Sequence, residues 1–344
     1  MLERAQPPIG IVSIGTYTPS QFMTAAEVAR ITGLPEQVIT EKLGIRRKPI
    51  PGPDDHPNAM GIKAALDCLS RCDIPPEEID VVLCTTEEWK EYPLWTAGIK
   101  LAYDIGARNA WALDCHQRCA NNQTVFKIAK SLMLADPEIN VVMIAGGYRC
   151  CDCVDYRNRN TTFLYGLSCG AAAAILRKGH PRNEVLESAI LCDGSYSLDL
   201  IPLVGGTVEP ATPETVGGPR TKFDAPNLEE MKRRLNEESV RNFMRVIDTA
   251  LHKSGYSRAD VNYLAMVHIK PSFHKRILDE LGLTEEDTYY LEDYAHTGEQ
   301  DQLISLKLGA QCGRLKDGDV AVLTGAGAGY AWSATVVKWG PCSM

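Results

Sequence analysis

Apolar positions along the chain follow two alternating periods. Short runs rich in Val, Ile, Leu and Ala, bounded by Gly, Pro or Asp, predict strands at 9–14, 81–85, 110–113, 141–145 and 171–176. Further runs predict strands at 185–191, 263–267, 288–291, 320–324 and 334–337. Helical periodicity fills 25–32, 35–42, 60–72, 95–105, 123–134, 228–254, 273–281 and 302–312. In 123–134, for instance, Val125, Ile128, Ala129 and Leu132 share one face. Strands alternating with helices predict an α/β fold.

The order of parts occurs twice. A helix over 61–72 leads through a proline-rich turn to a strand over 80–86, then to a strand–loop–helix carrying Cys119, then to a strand over 141–145 ending in Gly146-Gly147. A helix over 240–254 leads to a strand over 262–267, then to a strand–loop–helix around His296 to Asp301, then to a strand over 320–324 and a glycine turn. This reads as a duplicated unit, with halves 1–178 and 179–344. Equivalent strand ends carry Glu87 and His268; equivalent helix starts carry Cys119 and the His296–Asp301 segment. Reactive groups gather beyond the carboxyl ends of strands in open α/β sheets, so two such halves would bring these four loops together. Residues 193–222, rich in Gly, Pro and Thr, read as a loop passing over a cleft.

Composition narrows the function. The 344 residues carry a net charge of −8 with no long basic run, which speaks against a nucleic-acid partner. No apolar run reaches the roughly 18–20 residues needed to span a bilayer. Residues 1–8 show no apolar core of a secretion signal. Among the twelve cysteines, Cys68, Cys84, Cys169 and Cys192 fall in apolar patterns, as reduced thiols of a cytoplasmic protein would. Cys150-Cys151-Asp152-Cys153 has no second Cys or His pair at zinc spacing, so it reads as a surface cluster and no metal is expected.

Cys119 is the candidate nucleophile. It precedes an amphipathic helix whose unpaired N–H groups favour thiolate, and Arg118 beside it acts in the same direction. Backbone N–H groups at Cys119 and around Gly327, in the turn Gly325–Gly329, could receive an oxyanion. Lys42, Arg46, Arg157, Arg159, Lys275 and Arg276 are the candidate substrate-binding cations.

Five blocks in order resemble the thiolase superfamily, specifically its ketoacyl-ACP synthase III branch. They are Leu43-Gly44-Ile45-Arg46-Arg47, the stretch from Ile74 to Asp80, the D-x-x-x-x-C-A element from Asp114 to Ala120, Asp193-Gly194-Ser195 with Pro202 and Gly205-Gly206, and the closing glycine-rich motif from Leu323 to Trp332. The resemblance covers nearly the whole chain. It implies a five-layer αβαβα fold, a homodimer, and acyl transfer through a cysteine thioester, with acyl-CoA or an acyl carrier protein as donor and no further cofactor.

The departures carry information. The family's H-Q-A-N-x-R stretch is here His268-Ile269-Lys270-Pro271-Ser272-Phe273-His274, and His268 is the candidate histidine. The asparagine of its G-N-T element is replaced by His296, with Asp301 one helical turn on. A base at this place, with His268 oriented by Asp301, suits an alcohol or amine acceptor. Thr85-Thr86-Glu87 instead resembles the T-E element of 3-hydroxy-3-methylglutaryl-CoA synthase, 32 residues before Cys119, which suits a condensing enzyme with Glu87 as acid/base. His116 reads as a loop residue, and His56, His180, His252 and His274 as surface residues. Three classes follow: a condensing enzyme, an acyltransferase to O or N of a small molecule, and a silent subunit working with a thiolase-like subunit and a small zinc-bearing protein. Condensation is favoured.

Overall fold

A short strand flanked by helices on both faces must be apolar throughout, and the central strands obey this rule. A computed structural model describes residues 7–341. The first half contributes β1 (Ile9–Tyr17), β2 (Gln21–Thr24), β3 (Arg47–Ile50), β4 (Val81–Cys84), β5 (Trp111–Asp114), β6 (Val141–Tyr148) and β7 (Gly170–Lys178). Its helices are α1 (Ala25–Thr32), α2 (Pro57–Leu69), α3 (Ala97–Asp104) and α4 (Asn121–Ala135). The second half adds β8 (Arg182–Cys192), the short pair β9 (Ile201–Pro202) and β10 (Phe223–Asp224), β11 (Tyr263–Met266), β12 (Val320–Gly327) and β13 (Ala331–Pro341). Its helices are α5 (Leu228–Lys253), α6 (Pro271–Leu281) and α7 (Asp301–Gln311). All residues of β4 and β6 are buried.

The strand order is β11-β12-β13-β8-β1-β7-β6-β4-β5. Read outward from its middle, one topology appears twice. β1 pairs antiparallel with β7, β7 antiparallel with β6, and β6 parallel with β4, which is parallel to β5. Likewise β8 is antiparallel to β13, β13 antiparallel to β12, and β12 parallel to β11, beside which Leu264 makes a parallel bridge to Thr288. β1 and β8 meet in the single pair Gly10–Glu184, so the sheet folds there into two layers.

Helices complete a five-layer αβαβα arrangement. α2 and α3 cover the first half-sheet from outside, and α5, backed by α6, covers the second. α4 and α7 lie between, each touching strands of both halves. Val125, Phe126, Ala129 and Met133 of α4 join Leu303, Ile304 and Leu306 of α7 in this central core. Each buried Val, Leu, Ile, Phe or Met among them contributes roughly 1.5–3 kcal/mol. Both central helices begin at the same end of the molecule, and the site lies there.

Some expectations are corrected. Residues 288–291 form no strand beyond the Thr288 bridge. The segment expected as a helix over 35–42 closes in a π turn, Val38–Lys42. The small sheet of β2 and β3 was not foreseen, since both strands are short and each carries polar or charged residues. The reading of residues 1–8 falls mostly outside the described residues. Among the described residues, no helix is long and apolar enough to cross a membrane. β5 is the free edge of the first half, and Trp89, Tyr92, Leu94, Ile99, Tyr103 and Trp111 on and around α3 and β5 are exposed.

Candidate active site

Asp114 of the D-x-x-x-x-C-A element is structural. Its carboxylate accepts from the Ala97 and Gly98 N–H groups (3.0 and 2.7 Å) and so caps α3, and it pairs with Lys90. Beyond it, one 3₁₀ turn, Arg118–Ala120, carries Cys119 and runs directly into α4. Cys119 therefore sits at the positive end of a 15-residue helix. Arg118, just before it, is left-handed (φ 52°), and so is Ala295 (φ 52°), just before His296. This conformation costs a residue with a β-carbon on the order of 1–2 kcal/mol. Both halves thus hold a strained residue just before the side chains of Cys119 and His296.

These two side chains meet. Cys119 Sγ lies 3.0 Å from His296 Nε2, and His296 Nδ1 lies 2.6 Å from Asp301 Oδ2. Asp301 is fully buried; its Oδ2 also accepts from the His268 backbone N–H (2.7 Å) and its Oδ1 from the Thr297 N–H (2.7 Å). An acceptor-only carboxylate facing Nδ1 requires a proton there, which leaves Nε2 to exchange one with sulfur. Burial opposes charge on the His296 ring, but the Cys119 sulfur and the Asp301 carboxylate outweigh it and hold the ring well above its ordinary value. The arrangement is a Cys–His–Asp relay.

His268 stands differently from expectation. Its Nε2–H donates to the Gly44 carbonyl (3.0 Å), and its ring packs against Tyr290. Burial pushes the ring down to about 4, against the opposing pull of the Gly44 carbonyl and Asp301. Asp301 reaches His268 only through the backbone, so the side chain it orients is that of His296. The spacing of one helical turn was right; the choice of histidine was not.

A close backbone approach surrounds the nucleophile. A β-carbon on Gly327 would fall 2.5 Å from the Gln117 carbonyl and 3.1 Å from the Cys119 nitrogen; one on Gly325 would fall 2.6 Å from the Cys119 carbonyl. Only glycine fits at either place. Gln302, unforeseen in the sequence, donates to the Cys119 carbonyl (3.4 Å) and the Thr324 carbonyl (3.3 Å) and ties the turn to β12.

Glu87 is buried and ion-paired to Arg118 (3.0 Å), which also holds Glu88 (3.0 Å). Burial of Glu299 was likewise unforeseen. It is held well above its ordinary value by burial first, then by Glu87 and Cys119. The six candidate cations do not converge. Arg46 pairs with Glu292 and Asp293, Lys275 with Asp279, and Arg157 with Asp155. Arg157 lines a cleft of about 260 Å³ with Ile31, Tyr156 and Lys222. Arg276 opens instead on a cleft between α5 and α6. Lys42 and Arg159 are exposed.

Other expectations fail on burial. Cys150 and Cys153 are buried, so the cluster is not at the surface, while Cys192 is exposed at the end of β8. His274 is buried and donates to Thr288 Oγ1 (3.2 Å). Lys48, never singled out, is fully buried, donating to the Tyr165 (2.8 Å) and Leu167 (2.6 Å) carbonyls. Among the described residues, no three His, Cys, Asp or Glu side chains are grouped to hold a metal.

Comparison with known proteins agrees with this architecture. Residues 113–194 match the family model of 3-oxoacyl-[acyl-carrier-protein] synthase III, and 251–339 match the model of its C-terminal part. A relative named beta-ketoacyl-[acyl-carrier-protein] synthase III, from Azobacteroides pseudotrichonymphae, is 26% identical over 333 residues, covering 96% of this chain and 97% of its own. The crystal structure of 3-oxoacyl-[acyl-carrier-protein] synthase III from Aquifex aeolicus superposes with a TM-score of 0.82 at 20% identity, over 96% of this chain and all (100%) of that one. A priming β-ketosynthase of a polyketide pathway superposes with a TM-score of 0.82 at 21% identity, over 100% of both chains.

Proposed function

On a chain that belongs to the thiolase superfamily, in its ketoacyl-ACP synthase III-like branch, we propose that Cys119 takes an acyl group from a CoA or carrier-protein thioester and passes it to a second thioester in a carbon–carbon condensation. One observation carries the reading, the unbroken line from Cys119 Sγ through His296 to Asp301, with contacts of 3.0 and 2.6 Å. His296 holds the thiol proton while sulfur attacks the acyl carbon. The oxyanion forms beside the Cys119 N–H, where Gly327 leaves room. The donor's C–S bond then breaks, and the leaving thiolate takes the proton from His296. In condensation the second thioester supplies a carbon nucleophile, a C–C bond forms at the acyl carbon, and Cys119 leaves as thiolate. Glu87 is the candidate acid/base for that carbon, and His268 for its carbonyl oxygen once the ring turns from Gly44.

A second reading has its own support. Once the leaving thiol has departed with the proton, His296 is a base whose tautomer Asp301 fixes. That is what an alcohol or amine acceptor needs, and His268 gives its ring donor to Gly44. Acyl transfer to O or N of a small molecule is therefore the alternative. A relay complete within one chain speaks against a silent subunit, and neither a thiolase-like partner nor a zinc-bearing protein is needed to supply a base. We take residues 1–178 and 179–344 as the two halves, the first bearing the nucleophile. The protein is read as a cytoplasmic homodimer, joined along the β5 edge and its exposed aromatic residues. No cofactor beyond the thioester is called for.

The test is intact mass after incubation with a panel of acyl-CoAs, followed by chase with malonyl-CoA or with small alcohols and amines. Cys119 should gain the acyl mass, and C119A should not while remaining folded. Discharge by malonyl-CoA supports condensation, and discharge by an alcohol or amine supports the alternative. An adduct that persists on C119A, for example at Cys115, removes the assignment.

A further inference from the structure

The wall next to the nucleophile is polar. The turn Gly298–Gln300 packs on the Arg118–Ala120 turn and on the end of β6. Gly298 (φ 67°) lies so near the Tyr148 ring that a β-carbon would sit 2.3 Å from it, so the next residue, Glu299, has a fixed place. Glu299 is 1% exposed. Its backbone carbonyl accepts from Asn122, and its Oε1 accepts from Gln300 Nε2 (2.8 Å). Its Oε2 is buried and has no partner.

A buried polar atom without a partner asks for one. Burial first, then the charges of Glu87 and Cys119, raise the Glu299 carboxyl well above its ordinary value, which favours the protonated acid. Gln300 occupies Oε1 as a donor, so the acid proton belongs on Oε2. The result is an O–H donor on the turn that packs against the Cys119 turn. Its surroundings are Glu87, ion-paired to Arg118, and Tyr148. An unsubstituted alkyl chain on Cys119 would leave this donor unsatisfied, whereas an acyl group with an acceptor oxygen would satisfy it.

We propose that Glu299 is a specificity residue whose Oε2–H donates to an oxygen substituent near the thioester end of the acyl group, so that the enzyme selects hydroxyacyl or oxoacyl donors over alkyl ones. This rests on the reading of Cys119 as acyl carrier. A site built to hydrogen-bond a substrate oxygen discriminates well against the analogue that lacks it.

Competition between 3-hydroxybutyryl-CoA and butyryl-CoA, equal in chain length, tests the proposal. Acylation of Cys119 is followed by intact mass in the wild type and in E299Q, E299M and E299A. The wild type should prefer the hydroxyacyl donor by on the order of tenfold or more. E299Q keeps a donor and should retain part of the preference. E299M, close in size, and E299A should bring the ratio near one through slower hydroxyacyl transfer. Thermal melting identifies any variant that fails to fold, and E299M carries the test if E299A does. No preference in the wild type, or an unchanged ratio in folded E299M, overturns the role of Glu299 and leaves Cys119 as acyl carrier. Acylation by neither thioester overturns both.

Discussion

Replacing Asp301 by Asn tests the relay most directly. The carboxylate receives three donors: the His296 ring, the His268 N–H and the Thr297 N–H. An amide has one oxygen, so at least one of these donors must face an NH₂ group. If the oxygen stays with Thr297, the NH₂ faces His296 Nδ1, which must then give up its proton. Nε2 becomes the protonated nitrogen, pointing at the Cys119 sulfur, and it can no longer accept the thiol proton. If the oxygen stays with His296, the tautomer survives but the Thr297 N–H is left buried and unpaired. Either way a hydrogen bond to a charged group is lost, worth about 1.5–3 kcal/mol, and the ring loses the anion that raises it. General acid–base groups contribute on the order of 10²–10⁴-fold, so single-turnover acylation of Cys119 in D301N should fall by that amount. The quenched intact-mass time course measures it. Iodoacetamide alkylation of Cys119 at neutral pH should slow in parallel, because His296 no longer accepts the thiol proton as readily. A folded D301N that acylates and alkylates at wild-type rates would refute the relay.

Other outcomes follow from the same geometry. G327A should push on the Gln117 carbonyl and the Cys119 nitrogen, lowering acylation by on the order of 10²–10³, while melting changes little; unchanged acylation would remove this part of the oxyanion pocket. E87Q should leave acylation intact but slow turnover with a second thioester by on the order of 10²-fold or more; indifference of turnover would assign Glu87 to the Arg118 pair alone. His268 and His274 are both depressed from 6.5 to about 4 by burial, so the unfolded chain binds more protons between these values. Their contribution to stability is whole above pH 6.5 and is lost as pH falls toward 4. The melting temperature should drop over this window, less steeply for H274L than for wild type; equal slopes would refute it. Sedimentation should give a dimer at micromolar concentration, and L94D, which charges the exposed apolar surface, should give the 37.8 kDa monomer.

Much of this was legible in the amino-acid order because long apolar periodicity is set by burial, and burial builds the layers. The helices around Val125 and Leu303 and the interior strands around Val142 and Val322 read correctly for that reason. The residues 288–291 misled because their apolar and aromatic side chains pack in the core from an irregular segment. His274 was read as a surface residue, and Lys48, Glu299 and Gln302 were not singled out, yet all four are buried. Their burial depends on partners far away in sequence, such as the Tyr165 carbonyl for Lys48, and no local pattern announces such a partner. Cys119, His296 and Asp301 were singled out and the structure brings them together, but with a different pairing from the one expected. Spacing places Asp301 near both histidines, and only the three-dimensional turn at Ala295 decides which ring it faces.

That turn has a counterpart at Arg118, and the pairing of the two says something about inheritance. One strand order occurs twice, yet Cys119 comes from one occurrence and His296 and Asp301 from the other. Two identical ancestral units would have met around a twofold axis with equal side chains on each side, and equal side chains cannot be both nucleophile and base. Within one polypeptide the two positions can carry different side chains and still face each other, as Cys119 and His296 do. The reactive centre is in this sense a heterodimer's site locked into a single gene product, and neither half, expressed alone, would contain a reagent with its activator.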